Sequence, residues 1–375
     1  MADSATYDGE IDIKPYTRLD GKPKLDSFFN KDGLLLRSYG WLVKNAIGII
    51  ILIHGLCSHA RLNFLRHNVH IVSNDKAILK DGNNFYVYED SWIEHFNKNG
   101  YSVYALDLQG HGLSDGWDNL KANVKNFDDF AYDVMQYIAR IQDSLADDDS
   151  KDYTTSDGNV DQGINKKMLP TYIIGLSMGG NIALRILQLL GKSQIDANRR
   201  LNIKGCVSIS GMISIELLTS PSSSTYQFFF LPLSNIISDF FQNSRLISVL
   251  PYQRYPYLND ILMFDKIRFK GGITYRFGRE LLNAMSNLDR DIGHTLTSIP
   301  ILFIHSKDDP FCYWRGVVSF YNRLRVRYKE LHLLENMEHV LTLEPGNMRV
   351  LNSILDWLAT IYGGVKEDQP NDDQQ

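Results

Sequence analysis

The stretch that most constrains the fold of this chain runs from Thr171 to Leu187. Thr171-Tyr172-Ile173-Ile174 reads as a buried strand, Gly175-Leu176-Ser177-Met178-Gly179 as a turn, and Asn181–Leu187 as a helix. A G-x-S-x-G between a strand and a helix is a nucleophile elbow, in which the serine sits on a turn so sharp that its backbone is strained. Glycine at 175 and 179 removes side chains that would clash there. The turn lifts the serine oxygen clear of the sheet and aims a helix N-terminus at it. An incidental serine in a glycine-rich turn has the same letters, so the weight of the reading rests on partners elsewhere in the chain.

Other segments repeat the strand-then-helix rhythm. Ile49–Ile53 is an uninterrupted aliphatic run, the mark of a strand covered on both faces of a parallel sheet. Tyr101–Leu106, Gly205–Ser210, Pro300–His305 and Lys329–Leu334 read as further strands, and Leu34–Leu42 as a strand and a turn into the next. Ser91–Lys98, Phe127–Ile141 and Met348–Tyr362 read as helices. Alternation of this kind predicts an α/β fold, a mostly parallel, doubly wound sheet. The expected organisation is a polar, loosely held segment over 1–30, a core over 31–211 and 296–364, and a polar tail over 365–375. Two surface inserts fall near 61–90 and 143–167, the second acidic and expected as a loop. Residues 212–295 break the rhythm and are rich in aromatics, which predicts an inserted helical cap with an apolar inner face.

Composition narrows the function. The chain has 375 residues, 44% hydrophobic and 22% charged, ample for a sizeable core. Its formal net charge of −5 offers nucleic acid no electrostatic footing. Cys57, Cys206 and Cys312 are too few and too scattered for a disulfide scaffold or a metal site, and free thiols fit a reducing compartment. No apolar signal core opens the chain, and the early run Ile49–Ile53 is too short to span a bilayer. A cytoplasmic protein is expected, with membrane-surface contact open through Phe228–Leu231 of the cap. Neither a cofactor nor a metal is expected.

A serine hydroxyl needs a base within hydrogen-bond reach. On a sheet of this kind the acid follows a late strand and the histidine follows the last one. His339, after Lys329–Leu334, is the natural general base. Asp308 and Asp309 both follow Pro300–His305, and the spacing from the strand end favours Asp309. The acid would hold the imidazole tautomer and stabilise the imidazolium. Two backbone donors are expected for an oxyanion: the N–H of Met178 at the helix start, and that of Leu56 in His54-Gly55-Leu56-Cys57-Ser58-His59. His54 and His59 lack a third ligand at useful spacing, which favours a structural or pocket-lining role over a metal site.

These residues, together with Asp107-Leu108-Gln109-Gly110-His111-Gly112-Leu113-Ser114, Cys312 three residues after Asp309, and His339-Val340-Leu341, resemble the monoacylglycerol lipase and lysophospholipase branch of the α/β-hydrolases. The resemblance covers nearly everything from Leu36 to Tyr362. It implies an α/β-hydrolase fold with Ser177, Asp309 and His339 as triad, and the N–H groups of Leu56 and Met178 as oxyanion hole. It also implies a serine esterase acting on small-molecule ester or single-chain lysolipid substrates. The acid-x-x-Cys pattern favours Asp309 over Asp308. His59 falls where that family carries a histidine near the nucleophile, so it joins Phe228 and Phe229 as an expected substrate-binding residue. The Asp107–Ser114 stretch looks structural. Asn- and Asp-bearing inserts such as 61–90 and 143–167 resemble those of malaria-parasite lysophospholipases, and the first lies where it would reshape the pocket mouth.

Overall fold

The computed structural model describes residues 18–151, 168–193, 198–214, 242–246 and 251–367. Eight strands form the central sheet: β1 (Lys24–Phe29), β2 (Leu35–Trp41), β3 (Gly48–Ile53), β4 (Tyr101–Leu106), β5 (Thr171–Leu176), β6 (Ile203–Ile209), β7 (Ile301–Ser306) and β8 (Lys329–Leu334). Their spatial order is β1-β2-β4-β3-β5-β6-β7-β8. β2 pairs antiparallel with both β1 and β4, and every other pairing is parallel. Among the described residues seven longer helices accompany the sheet: α1 (Trp92–Lys98), α2 (Asp128–Lys151), α3 (Met178–Lys192), α4 (Tyr257–Phe264), α5 (Tyr275–Arg290), α6 (Trp314–Arg323) and α7 (Asn347–Glu367). No helix among the described residues is long and apolar enough to cross a membrane.

The two-faced burial follows from strand periodicity. All six residues of β3 are buried. Ile49, Ile51 and Ile53 join one hydrophobic cluster, with α2 and α3, while Ile50 and Leu52 join the other, with α1 and α7. β7 divides in the same way, Ile301 and Phe303 on one side and Leu302 and Ile304 on the other. A parallel sheet covered on both faces presents its functional loops at the carboxyl ends of its strands.

Two expectations change, and one open question is answered. Residues 24–29, expected as loosely held, form the edge strand β1, registered against β2 from Lys24–Gly40 to Phe29–Leu35. Their polar side chains reflect an edge position, with one solvated face. Helix α2 runs on to Lys151, into the segment expected as a loop; residues 152–167 lie outside the described structure. The 61–90 insert is folded. Arg66–His67 pairs with Tyr86–Val87, and Val69–Ser73 pairs with Lys76–Leu79. Leu62, Ala77 and Phe85 of this insert bury themselves against Tyr257, Leu258 and Ile261 of α4. The insert therefore braces the helix that follows it by some 170 residues in the chain.

Candidate active site

Ser177 lies between β5 and α3 at φ 57°, ψ −116°, a conformation that costs a non-glycine residue about 1–3 kcal/mol. The neighbourhood enforces it. The Ser177 N–H donates to the Ile209 carbonyl on β6 (2.8 Å), and the Ser177 carbonyl accepts from the amides of Gly180 (2.9 Å) and Met212 (3.1 Å). A Cβ on residue 175 would sit 2.0 Å from the Gly179 carbonyl oxygen, and one on residue 179 would sit 2.2 Å from that of Ile53. Only glycine passes at either position.

The structure brings three distant side chains together at this turn. His339 Nε2 lies 2.9 Å from Ser177 Oγ, and His339 Nδ1 lies 2.7 Å from Asp309 Oδ2. An ionised carboxylate only accepts, so Nδ1 carries the proton and Nε2 is left to accept from the serine. Asp309 is itself fixed: its Oδ1 accepts the N–H groups of Phe311 (2.8 Å) and Cys312 (2.9 Å). Asp308 faces elsewhere, accepting the Asn336 N–H at 2.7 Å and pairing with Arg254. Burial alone would lower the His339 pKa. The charge and hydrogen bond of Asp309, joined by the charges of Glu344 and Glu338, outweigh it and raise the pKa above 6.5. The Phe311 ring packs 5.0 Å from the imidazole.

Glu344 is a residue of this site that sequence reading missed. It is fully buried, and its two carboxylate oxygens accept the N–H groups of Glu338 (2.5 Å) and Val340 (2.7 Å), on either side of His339. One side chain thus fixes the backbone from which the imidazole projects. The signal was an acid five residues after the histidine, which has no meaning until the loop closes on itself. The Ser306 hydroxyl, donating to the Met337 carbonyl, ties the same loop to the end of β7.

The loop after β3 faces the serine. Leu56 and Met178, the two residues expected to supply amide donors, line one cavity together with Ser177 and His339. Gly55 lets this loop pass close; a Cβ there would lie 3.4 Å from the Ser177 Cβ. The Gly55 N–H is held by Asn63 Oδ1 at 3.0 Å, a second residue that sequence reading did not single out. His54 accepts the Leu108 N–H at Nε2 (3.0 Å) and donates from Nδ1 to the Gly55 carbonyl (2.8 Å). Burial pushes its pKa down to about 3, which keeps it neutral and structural. Asp107 is structural as expected, accepting from the amides of Ala60 and Leu113 and the Tyr39 hydroxyl.

His59 departs from expectation. It is fully buried and caps the short helix Ala60–Phe64, its Nδ1 accepting the Leu62 N–H. Its Nε2 therefore carries the proton and donates to Asp265 Oδ2 at 2.9 Å, with the Tyr86 hydroxyl 3.2 Å away. It does not border the cavity. The sequence placed it one loop from the nucleophile but gave no sign of Tyr86 and Asp265, which turn it inward. Phe228 and Phe229 lie outside the described residues.

The cavity measures about 230 Å³ and runs from the serine along aliphatic walls that include Leu258 and Leu262 of α4, Ile273, and Leu281 and Met285 of α5. Among the described residues the one group of potential metal ligands is Asp309, Cys312 and His339, within 4.8 Å of one another. Both imidazole nitrogens are already committed to hydrogen bonds. Burial holds the Cys312 thiol well above its usual pKa and so protonated, which makes it a poor ligand.

Comparison with known proteins matches the chain to a family. The family model described as serine aminopeptidase, S33 covers residues 83–346, more than half of the chain. The chain belongs to that family. It is an α/β-hydrolase and a serine hydrolase. Curated relatives include the monoglyceride lipases of Mus musculus and Homo sapiens, each 26% identical. The mouse protein aligns over 68% of this chain and 73% of its own length, the human one over 64% and 66%. Solved structures of the same fold include a soluble variant of monoglyceride lipase from Saccharomyces cerevisiae, in complex with a substrate analogue. Its TM-score is 0.66 at 18% identity, over 92% of this chain and 97% of that one. Another is the monoacylglycerol lipase of Paleococcus ferrophilus, with TM-score 0.57 at 18% identity over 87% and 99%. At such identities the structural likeness speaks for the fold alone.

Proposed function

We propose that the protein cleaves carboxylic esters of apolar or single-chain lipid substrates through an acyl-enzyme intermediate, with Ser177, His339 and Asp309 as the catalytic triad. The reading rests on one observation above the others: a hydrogen-bonded Ser177–His339–Asp309 chain that opens onto an aliphatic cavity. The chemistry follows from the geometry. Ser177 Oγ attacks the ester carbonyl while His339 Nε2 takes its proton. The oxyanion meets the N–H groups of Leu56 and Met178, the second at the positive end of α3. The imidazolium, stabilised by Asp309, then protonates the departing alcohol. A water activated by the same imidazole releases the acid. The aliphatic walls take the acyl chain; each buried methylene adds about 0.8 kcal/mol. The monoglyceride lipases among the relatives act on substrates of this kind, as their names state.

The family description also names an aminopeptidase. Such an enzyme must hold a free ammonium group beside the serine, which calls for a carboxylate. No Asp or Glu borders the cavity among the described residues, whereas Arg268 does, and a cation there repels an ammonium. The ester reading therefore fits the cavity better. A panel of monoacylglycerols, lysophospholipids, p-nitrophenyl esters and amino-acid amides tests it. Ester turnover that vanishes in Ser177→Ala is expected; amide turnover exceeding ester turnover would contradict the proposal.

A further inference from the structure

Arg268 is the one permanently charged side chain on the described lining of the cavity. No carboxylate lies within 4 Å of its guanidinium among the described residues, in contrast to the buried Arg185, which pairs with Asp128 and Asp291. A half-buried guanidinium without a carboxylate partner, bordering a mostly apolar cavity, leaves its charge and donors available to a ligand. Its planar fork of donors matches the oxygens of a phosphate or carboxylate.

The backbone beneath it is built with care. Asp265, fully buried, accepts the N–H groups of Ile267 (2.7 Å) and Arg268 (2.9 Å) at Oδ1. Its Oδ2 accepts from His59 (2.9 Å) and from the Tyr86 hydroxyl (2.9 Å). One carboxylate therefore joins the turn carrying Arg268 to the loop after β3 and to the 61–90 insert. Asp265 is fully spent on these four donors and is not the counter-ion of the guanidinium. Arg245 adds a second positive charge nearby: its guanidinium lies 4.5 Å over the Phe269 ring and donates to the Gly272 carbonyl. Both arginines act electrostatically on the Cys57 thiol in the loop after β3, which places their field at the same end of the cavity.

From this placement we infer that Arg268 receives an anionic group on the polar end of the ester substrate, making the preferred substrate a single-chain ester that carries a phosphate or carboxylate beside the scissile bond. The inference rests on the proposed esterase reading and adds the head-group class to it. His59, which does not border the cavity, then acts on specificity at one remove, by holding Asp265.

The test compares kcat/KM for three esters of equal chain length: a 1-acylglycerol phosphate, an acyl ester ending in a carboxylate, and the neutral 1-monoacylglycerol. Ser177-dependent turnover of p-nitrophenyl butyrate is measured first; its absence sinks the esterase reading, and this inference with it. Given that turnover, wild type is expected to prefer at least one anionic ester, and whichever is preferred identifies the anion. In Arg268→Met the anionic-to-neutral ratio should fall about tenfold or more, the loss of one charged hydrogen bond. Arg268→Lys, which keeps the charge but not the fork, should fall between the two. The wild-type ratio should also drop as salt rises from low ionic strength to about 0.5 M, a measurement that needs no variant to fold. A ratio that holds in Arg268→Met and in high salt overturns the inference, whether both activities persist or both fall together.

Discussion

Ser177 and Arg268 border the same cavity, yet different kinds of structure hold them. Ser177 takes its position from main chain: the amide of residue 177 bonded to β6, its carbonyl to Gly180 and Met212, and carbonyl oxygens crowding both flanking glycines. Arg268 takes its position from a side chain of its own turn, Asp265, which His59 and Tyr86 hold from two remote segments. His339 stands between the two. Its loop is main chain, but Glu344 and Ser306 hold it. The contrast teaches where each kind of site is written. Main-chain constraint leaves a local signature, glycine at fixed spacing. A side-chain frame leaves none, because its members meet only after folding.

The predictions probe that contrast. Ser177→Ala should cut ester turnover by roughly 10⁴ to 10⁶ and leave the circular dichroism unchanged. Asp309→Asn, which spoils the imidazole tautomer, should cost about 10⁴ in kcat. Wild-type kcat/KM should fall on acidification through a pKa above 6.5. His339 must be neutral to act as base, and its carboxylate neighbours favour its protonated form. In Asp309→Asn that acid limb should move to lower pH, because the strongest stabiliser of the imidazolium is gone. Glu344→Gln keeps one acceptor and turns an NH₂ group against the other amide, a cost of about 1–3 kcal/mol. It should lower kcat/KM by about ten- to a hundredfold and shift the same acid limb downward by less than Asp309→Asn does; a limb that does not move would reduce Glu344 to a packing role. Asp265→Asn should have the smallest effect on turnover of neutral esters. It should instead lower unfolding stability by about 1–3 kcal/mol in urea titration, since the buried His59 and Tyr86 donors lose their shared acceptor.

The sequence made the main-chain half legible. The aliphatic run at 49–53, the glycines at 175 and 179, and the acid and histidine after late strands each follow from a local rule about twist, Cβ clearance or chain order. The side-chain half stayed hidden. Asn63, Tyr86, Asp265 and Glu344 are ordinary polar residues until the 61–90 insert folds onto α4 and the loop at 338–344 closes. His59 shows the limit well: its closeness to the nucleophile in sequence is real, but its ring direction is set by partners 27 and 206 residues away. The edge strand β1 was missed for a related reason, because a strand solvated on one face carries too little apolar patterning to stand out.

The central claim is that His339 activates Ser177 and no other hydroxyl. A fluorophosphonate probe followed by intact-mass and peptide mapping tests it most directly, since the probe reacts only with an activated nucleophile. One adduct on Ser177 is expected in wild type, with labelling slowed by orders of magnitude in His339→Ala. Undiminished labelling in that variant, or an adduct mapped to any other residue, would contradict the account.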